Sequence, residues 1–262
     1  MDRLGKDQLD GWCVEFGAWD GIHLSNTCNL IKNRGYSAVL IEGDSNKHLT
    51  LCDNFPEDNI VKICAFVTFE GSSTLDAILS RTEIPRNFDF LSIDIDGCDY
   101  FILDSLIEFR PKIVCIEFNP TIPNEVEFIQ SKNFSVKHGS SAKALVGLAH
   151  AKGYALVATT ATNLIFVDAH LSEIVVGSSQ PTLEELRDDI EYKAFIFSGF
   201  DGTVLTNKPV ALPWHGLKIA QETLQALPKG FRQYSLDYGP VRKKCFSIWK
   251  KITRRLGRFE RK

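Results

Sequence analysis

VEFGAWDGIHLSN, residues 14–26, sets a carboxylate, Glu15, at the end of an apolar run, follows it with Gly17 and Gly21, and reaches Ser25. Serine is a residue type that caps helices. Strand, acid, glycine turn and helix start, in that order, form the first half of a βαβ unit. The same alternation continues downstream. Strand-like runs recur as WCVEFGA, SAVLIEGD, NIVKICAFVTF, FDFLSIDID and PKIVCIEFN, with LSNTCNLIKNRG, NKHLTLCDNF, STLDAILSRT and DYFILDSLIEF between them at near-helical spacing. SSAKALVGLAHAKG adds a further helix ending at Gly153, and YALVATTA and NLIFVDA follow as closely spaced strands, a hairpin that ends the sheet antiparallel. AVLI and IVCI are apolar on both faces, as parallel strands covered by helices are. The expectation is an α/β protein: a doubly wound, mostly parallel seven-stranded sheet with helices on both faces and a C-terminal extension. Residues 1–170 form the expected core, 171–240 an extension packed on it, and 241–262 a basic amphipathic tail. PTLEELRDDIEYKAF reads as a helix of the extension, capped by Thr182.

In a doubly wound sheet, ligands bind outside the carboxyl ends of the strands, so residues at those ends carry the functional information. Gly17 and Gly21 let the backbone bend and approach a ligand without a Cβ in the way. The dinucleotide fingerprint G-x-G-x-x-G is absent, because Trp19 occupies the place of its second glycine. An acid ahead of such glycines suits a ligand bearing a cationic amine. Glu42 ends the second strand 25 residues after Gly17, a separation at which an acid commonly holds the two hydroxyls of an adenosine ribose. The fourth strand ends in Asp94, Asp96 and Asp99, and the fifth in Glu117 and Asn119. Carboxylates gathered this closely need a proton, a donor or a cation between them. Asp99 reads best as a cap of the next helix and Asp96-Gly97 as a turn. Asp94 and Glu117, acids inside otherwise apolar strands, do not read that way.

VEFGAWDG, LIEGD, FLSIDIDG and IEFNP, in this order over about residues 10–170, resemble the FkbM-type branch of class I S-adenosylmethionine-dependent methyltransferases. The resemblance implies a cofactor site in which Glu15, Gly17 and Gly21 form the first motif. Glu15 and Gly17 would face the methionine part, Glu42 the ribose, and Phe69 to Ser72 the adenine. SIDIDG would stand beside the transferred methyl, with Asp94 touching both cofactor and acceptor. Such enzymes methylate hydroxyl oxygens of sugars or polyketides, so the implied activity is O-methylation of a sugar, a glycan or another small hydroxylated metabolite. An alcohol is a weak nucleophile near neutral pH and needs a base or a metal. Asp94 is the first candidate base, with Asp96 and Glu117 next. His23 and His138 are alternatives. Asp94, Glu117 and Asn119 also resemble the Mg²⁺ site of catechol-type O-methyltransferases, which names Mg²⁺ or Mn²⁺ as the cation.

Two other classes stay open: an adenosine-cofactor oxidoreductase, against which the missing second glycine argues, and a non-catalytic binding module on the same fold. GFDGTVL is similar to a phosphatase signature, but Gly199 stands where the nucleophilic Asp belongs. NPTIP follows the fifth strand rather than the fourth, which argues against base methylation.

Charge divides the chain sharply. Residues 241–262 hold ten Lys or Arg and one acid, leaving residues 1–240 at −12 within a total of −3. An acidic body argues against a nucleic-acid groove. In the tail, Cys245, Trp249, Ile252, Leu256 and Phe259 fall on one helical stripe with cations opposite, an arrangement suited either to an anionic membrane surface or to docking on a protein. Seven cysteines form no C-x-x-C pair and several lie in apolar strands, which points to reduced thiols. With no apolar leader at the N-terminus, the expected location is cytoplasmic, with peripheral membrane contact through the tail as a further expectation. Residues 121–140 are the expected roof of the acceptor pocket.

Overall fold

The structure, a computed structural model, describes residues 3–257. They form two compact units, one ending at Glu191 and the other beginning at Tyr192. No helix among the described residues is long and apolar enough to cross a membrane.

The first unit is built on strands β1 (Trp12–Phe16), β2 (Ser37–Glu42), β3 (Ile60–Cys64), β4 (Phe90–Ile93), β5 (Ile113–Glu117), β6 (Tyr154–Thr159) and β7 (Asn163–Asp168). They assemble into one seven-stranded sheet in the order β3-β2-β1-β4-β5-β7-β6. All pairs from β3 to β5 are parallel, while β7 runs antiparallel to both β5 and β6. The expected closing hairpin is present, and it folds back so that its second strand, β7, takes the inner position. Leu164, Phe166 and Val167 of β7 are buried, whereas β6 becomes more exposed toward its end and suits the edge.

Alternation along the strands sends side chains to two helical layers. Val14, Phe16, Val39, Ile41, Leu91 and Ile93 belong to one core, shared with α3 (Leu75–Leu79), α4 (Asp99–Ser105) and α5 (Ala142–Ala151). Cys13, Ala38 and Leu40 meet α1 (Cys28–Arg34) and α2 (Ser45–Asn54) through Leu30, Ile31, Leu51 and Phe55. A smaller cluster of Ile113, Ala155 and Val167 continues toward α6 (Ser172–Val176), with Val175 packed against it.

Two segments differ from their sequence pattern. The helix expected over PTLEELRDDIEYKAF is α7 (Leu183–Leu186), opened by a capping box between Thr182 and Glu185. It stops because Arg187 is drawn away: its guanidinium bonds to Pro120 O and Ile122 O and to Asn124 Oδ1, and lies over the Phe118 ring. Asp189 accepts the Asn124 backbone N–H. Leu183 is in the main core, so residues 171–191 belong to the first unit. The third strand ends at Cys64, well before the end of its β-rich run, and residues 65–68 leave the sheet as irregular chain.

The second unit holds two small antiparallel hairpins, β8–β9 (Ile196–Ser198, Val204–Thr206) and β10–β11 (Val210–Leu212, Leu217–Ile219), followed by α8 (Pro240–Arg255). GFDGTVL forms the β8–β9 connection, where Asp201 accepts from the Thr203 N–H and hydroxyl.

At the N-terminal ends of β1, β4 and β5, fully buried Asp89 accepts from Asp10 N, Gly11 N and, at 2.7 Å, Lys112 Nζ. Lys112 also pairs with Asp10 at 2.9 Å. Removing one partner of a buried ion pair strands the other charge. Lys112→Met is expected to lower unfolding free energy by roughly 3 kcal/mol, read by urea denaturation.

Candidate functional site

At the opposite end of the sheet, the turn after β1 is held by its own acid. Glu15 is buried and accepts from Ser25 Oγ at 2.6 Å, Thr27 Oγ1 at 2.6 Å and Asn26 N at 2.9 Å. Burial pushes its carboxyl upward, and those hydrogen bonds oppose the shift. Ser25 Oγ in turn accepts from Cys28 N at 3.0 Å, so the serine expected as a cap tethers the start of α1 to the strand, while Thr27 takes the N-cap position itself. Gly17 has φ +69°, and a Cβ there would stand 2.7 Å from the Asp94 carbonyl oxygen, so this glycine fixes how closely the first turn meets the fourth strand. Gly21 differs from its expected role. A Cβ on it would meet Phe55 at 2.4 Å and Leu51 at 2.7 Å, so it faces the α2 side of the core and not a ligand.

Trp19 adopts a left-handed φ of +49°, unusual for a bulky residue. Its N–H donates to Glu42 at 2.8 Å, and the other Glu42 oxygen accepts from Asp44 N at 2.7 Å. Two backbone amides thus aim the Glu42 carboxylate, each of whose oxygens keeps a lone pair for a further donor.

The register Ile93↔Ile116 brings Asp94 and Glu117 side by side on β4 and β5. One oxygen from each of Asp94, Asp96 and Glu117 lies within 4.8 Å of the others. Burial, then the charges of Asp99, Asp96 and Glu15, push Asp94 up to about 6. Burial and then the Asp94 charge push Glu117 up to about 8. Two carboxyls this close need a proton, a donor or a cation to relieve their repulsion. Asp96 sits at φ +56° with an exposed side chain. Asp99, buried at the start of α4, accepts from Ile95 N at 2.9 Å and Gly97 N at 2.8 Å, so it shapes the loop that presents Asp94 and Asp96.

Asn119 is not available as a ligand. Its amide donates to His138 O at 2.7 Å, and its Oδ1 accepts both the N–H and the hydroxyl of Thr121. It folds the segment after β5, and the oxygen cluster consists of Asp94, Asp96 and Glu117 instead. Asn163, across from Glu117 in the β5–β7 register, has a buried Oδ1 with no hydrogen-bond partner. Nothing in its local sequence marks it.

Glu15, Gly17, Trp19, Glu42, Asp94 and Asp96 line a cleft of about 720 Å³, while Glu117 stands beside Asp94 and is not part of its lining. Its wall on the third-strand side comes from residues 65–68 rather than from Phe69 to Ser72, because β3 ends early. The Phe66 ring occupies the space that a Cβ on Gly43 would take, at 2.4 Å. Phe69 turns away to stack on Phe134 at 4.7 Å. Sequence patterns gave no sign of Phe66, Lys47 or Lys137 at the site. Lys47 Nζ lies 5.0 Å from the Trp19 ring centroid, and Lys137 Nζ donates to Ile95 O at 2.9 Å. Phe134 and Lys137, of the 121–140 segment, line the cleft as well. His23 also lines it, with its ring edge-on to Trp19 at 5.2 Å, while His138 lies in a separate shallow depression beside Asn119.

Folded Glu117 holds its proton up to about pH 8, against an ordinary 4.5, so folding takes up a proton between those values. Stability contributed by this group is therefore present at low pH and lost as pH rises through that window. With chelator present, Glu117→Gln is expected to match the wild-type melting temperature near pH 4.5 and to exceed it near pH 8 and above, measured by calorimetry.

Comparison with known proteins bears on this geometry. Residues 71–155, from the turn before α3 into β6, match the model of the methyltransferase FkbM domain. That span contains SIDIDG and IEFNP. No curated protein matches the chain. Similar solved structures include the Methanococcus jannaschii fibrillarin pre-rRNA processing protein, 14% identical, with TM-score 0.42 over 63% of this chain and 70% of that one. M. capricolum TrmK in complex with S-adenosyl-homocysteine is 14% identical, with TM-score 0.39 over 64% of this chain and 69% of that one. The CMeT domain of the citrinin polyketide synthase is 10% identical at TM-score 0.39, and the match spans 62% of this chain but only 48% of that domain. Residues 71–155, the segment that spans the fourth and fifth strand tips of the 3-2-1-4-5-7-6 sheet, are therefore similar to the methyltransferase FkbM domain.

Proposed function

We propose that this chain transfers the methyl group of S-adenosyl-L-methionine to a hydroxyl oxygen of a sugar, a glycan or another small hydroxylated metabolite. One observation carries the reading: Asp94, with Glu117 close beside it, lines the same cleft as the aimed carboxylate of Glu42. Glu42 suits the two hydroxyls of a ribose, since its amide contacts fix its orientation and leave acceptor capacity. Gly17 lines the cleft, so its turn suits a cofactor lying against it. When bound, the cofactor supplies an electrophilic methyl on a sulfonium.

Methyl transfer is an in-line displacement, so the chain's first task is to hold the acceptor oxygen in line at close range. Its second is to take the hydroxyl proton as the new C–O bond forms. Asp94 is the base in this reading. Near pH 7 Glu117 is protonated and its hydrogen bond steadies the Asp94 carboxylate for that step. A divalent cation would find its oxygens in Asp94, Asp96 and Glu117, and would supply the charge compensation that the proton otherwise supplies. The net charge of −12 on residues 1–240 favours a neutral acceptor over a nucleic acid. The seven cysteines are all free, which suits a reducing cytoplasm.

Calorimetric titration is expected to show binding of S-adenosylmethionine and none of NAD. Absence of the first rejects the reading, and binding of the second alone selects an oxidoreductase. Asp94→Asn is expected to lower kcat by about 10²–10⁴, the range for loss of a general base, with a much smaller effect on cofactor affinity. In wild type, kcat/KM should rise through about pH 6 as Asp94 ionises and fall through about pH 8 as Glu117 loses its proton. Glu117→Gln should abolish the upper limb. Activity that a chelator abolishes and Mg²⁺ restores would replace the shared proton with a cation.

A further inference from the structure

Helix α8 carries two apolar faces, and among the described residues of its unit only one of them is covered. Phe246 and Trp249 stack at 5.8 Å, and Phe231 packs against both, at 5.4 and 5.7 Å. Tyr238 joins this cluster and is itself buried, and Thr253 continues the same side of the helix as a buried residue. Trp249, assigned from its spacing to the outward stripe, therefore belongs to the inward face. The stripe that faces out is Val241, Cys245, Ile248, Ile252 and Leu256; Phe259, assigned to it from sequence, lies outside the described residues. Relative exposure is 78% for Val241, 51% for Ile248, 53% for Ile252 and 66% for Leu256, high values for residues of this type. At about 100° per residue these five positions span an arc of about 80°. Lys244, Lys251 and Arg255 border that arc on one side. A shallow depression formed by Phe231, Pro240, Val241 and Cys245 opens at its N-terminal end.

We propose that α8 is an interfacial anchor that lays its Val241–Ile248–Ile252–Leu256 stripe into the surface of an anionic lipid bilayer. Charge identifies the occupant. The 16 residues of the helix include seven Lys or Arg and no acid. Self-pairing along the stripe would set Lys244, Lys251 and Arg255 of one copy against cations of the other, with no acid in the helix to offset them. A bilayer surface carrying anionic headgroups offers the opposite: acyl chains for the stripe and phosphates for the bordering cations, whose long stems reach outward from an apolar seat. The length agrees, since 16 residues rise about 24 Å, too short to cross a bilayer and ample to lie along one.

The test uses the full chain with sedimented vesicles of phosphatidylcholine, either alone or with roughly a third phosphatidylserine. Expected is co-sedimentation with the anionic vesicles alone, weakened severalfold in about 0.5 M NaCl. Ile248→Asp combined with Ile252→Asp alters exposed positions only, and is expected to reduce binding at least about tenfold. Replacing Lys244, Lys251 and Arg255 by Gln is expected to cost about fivefold per charge. Circular dichroism and cofactor titration on each variant keep these results separate from misfolding and from the fate of the methyltransferase reading. Absence of wild-type binding to anionic vesicles, or undiminished binding by the Asp variant, overturns the proposal. So does a dimer in sedimentation velocity that the Asp substitutions dissolve while vesicle binding is unchanged.

Discussion

A carboxylate removed from water must be given donors, a proton or a cation, and the acids clustered at the carboxyl ends of these strands obtain them differently. Glu15 takes two hydroxyls and an amide from residues 25–27. Glu42 takes the amides of Trp19 and Asp44, and Asp99 takes those of Ile95 and Gly97. Glu15 and Glu42 each tie a loop to a strand and Asp99 ties the loop after β4 to α4, so the acids build the cleft as much as they decorate it. Asp94 and Glu117 are different. They lie close to one another, and burial together with their mutual repulsion pushes both upward. The proposed reaction uses this second kind of acid, and the first kind holds the scaffold.

Much of this was legible before any coordinates. Alternating apolar runs determine the parallel sheet, and an acid inside an apolar run is conspicuous because the buried position costs it solvation. Adjacency of Asp94 and Glu117 followed from their places at the tips of neighbouring strands. What escaped was decided by contacts distant in sequence. Asn119 looks like an oxygen ligand until its amide is seen bonded to the carbonyl of His138. The helix at Leu183 has every local signal for continuing, yet Arg187 is recruited by the carbonyls of Pro120 and Ile122. Gly21 carries the same letter as Gly17 and does the opposite job, because Phe55 fills the space beside it. Phe66 entered the cleft only because β3 ends at Cys64.

Backbone strain gathers at the same place. Trp19, Leu24 and Asp96 are the described non-glycine residues with positive φ, and all three line the cleft. Such conformations persist where surrounding contacts over-determine them. For Trp19 the Glu42 carboxylate supplies that constraint by accepting its N–H. The ring is thereby held over the cleft where a glycine would have left open space, and Lys47 and His23 border it.

The chain between β5 and α5 contains no helix or strand, and one interior amide gathers its second half. Gln130 accepts the N–H groups of His138 and Gly139 and donates to the carbonyl of Val136, while its nitrogen also reaches Cys98 Sγ. One side chain thus does for this segment what a ladder of main-chain bonds does elsewhere. Residues 131–135 hang from that peg as an exposed bight, with Phe134 dipping into the cleft. Phe134 and Lys132 meet the Phe69 ring, yet all five side chains are exposed, so under the proposed reading substitution here would reshape the mouth of the cleft while sparing the sheet.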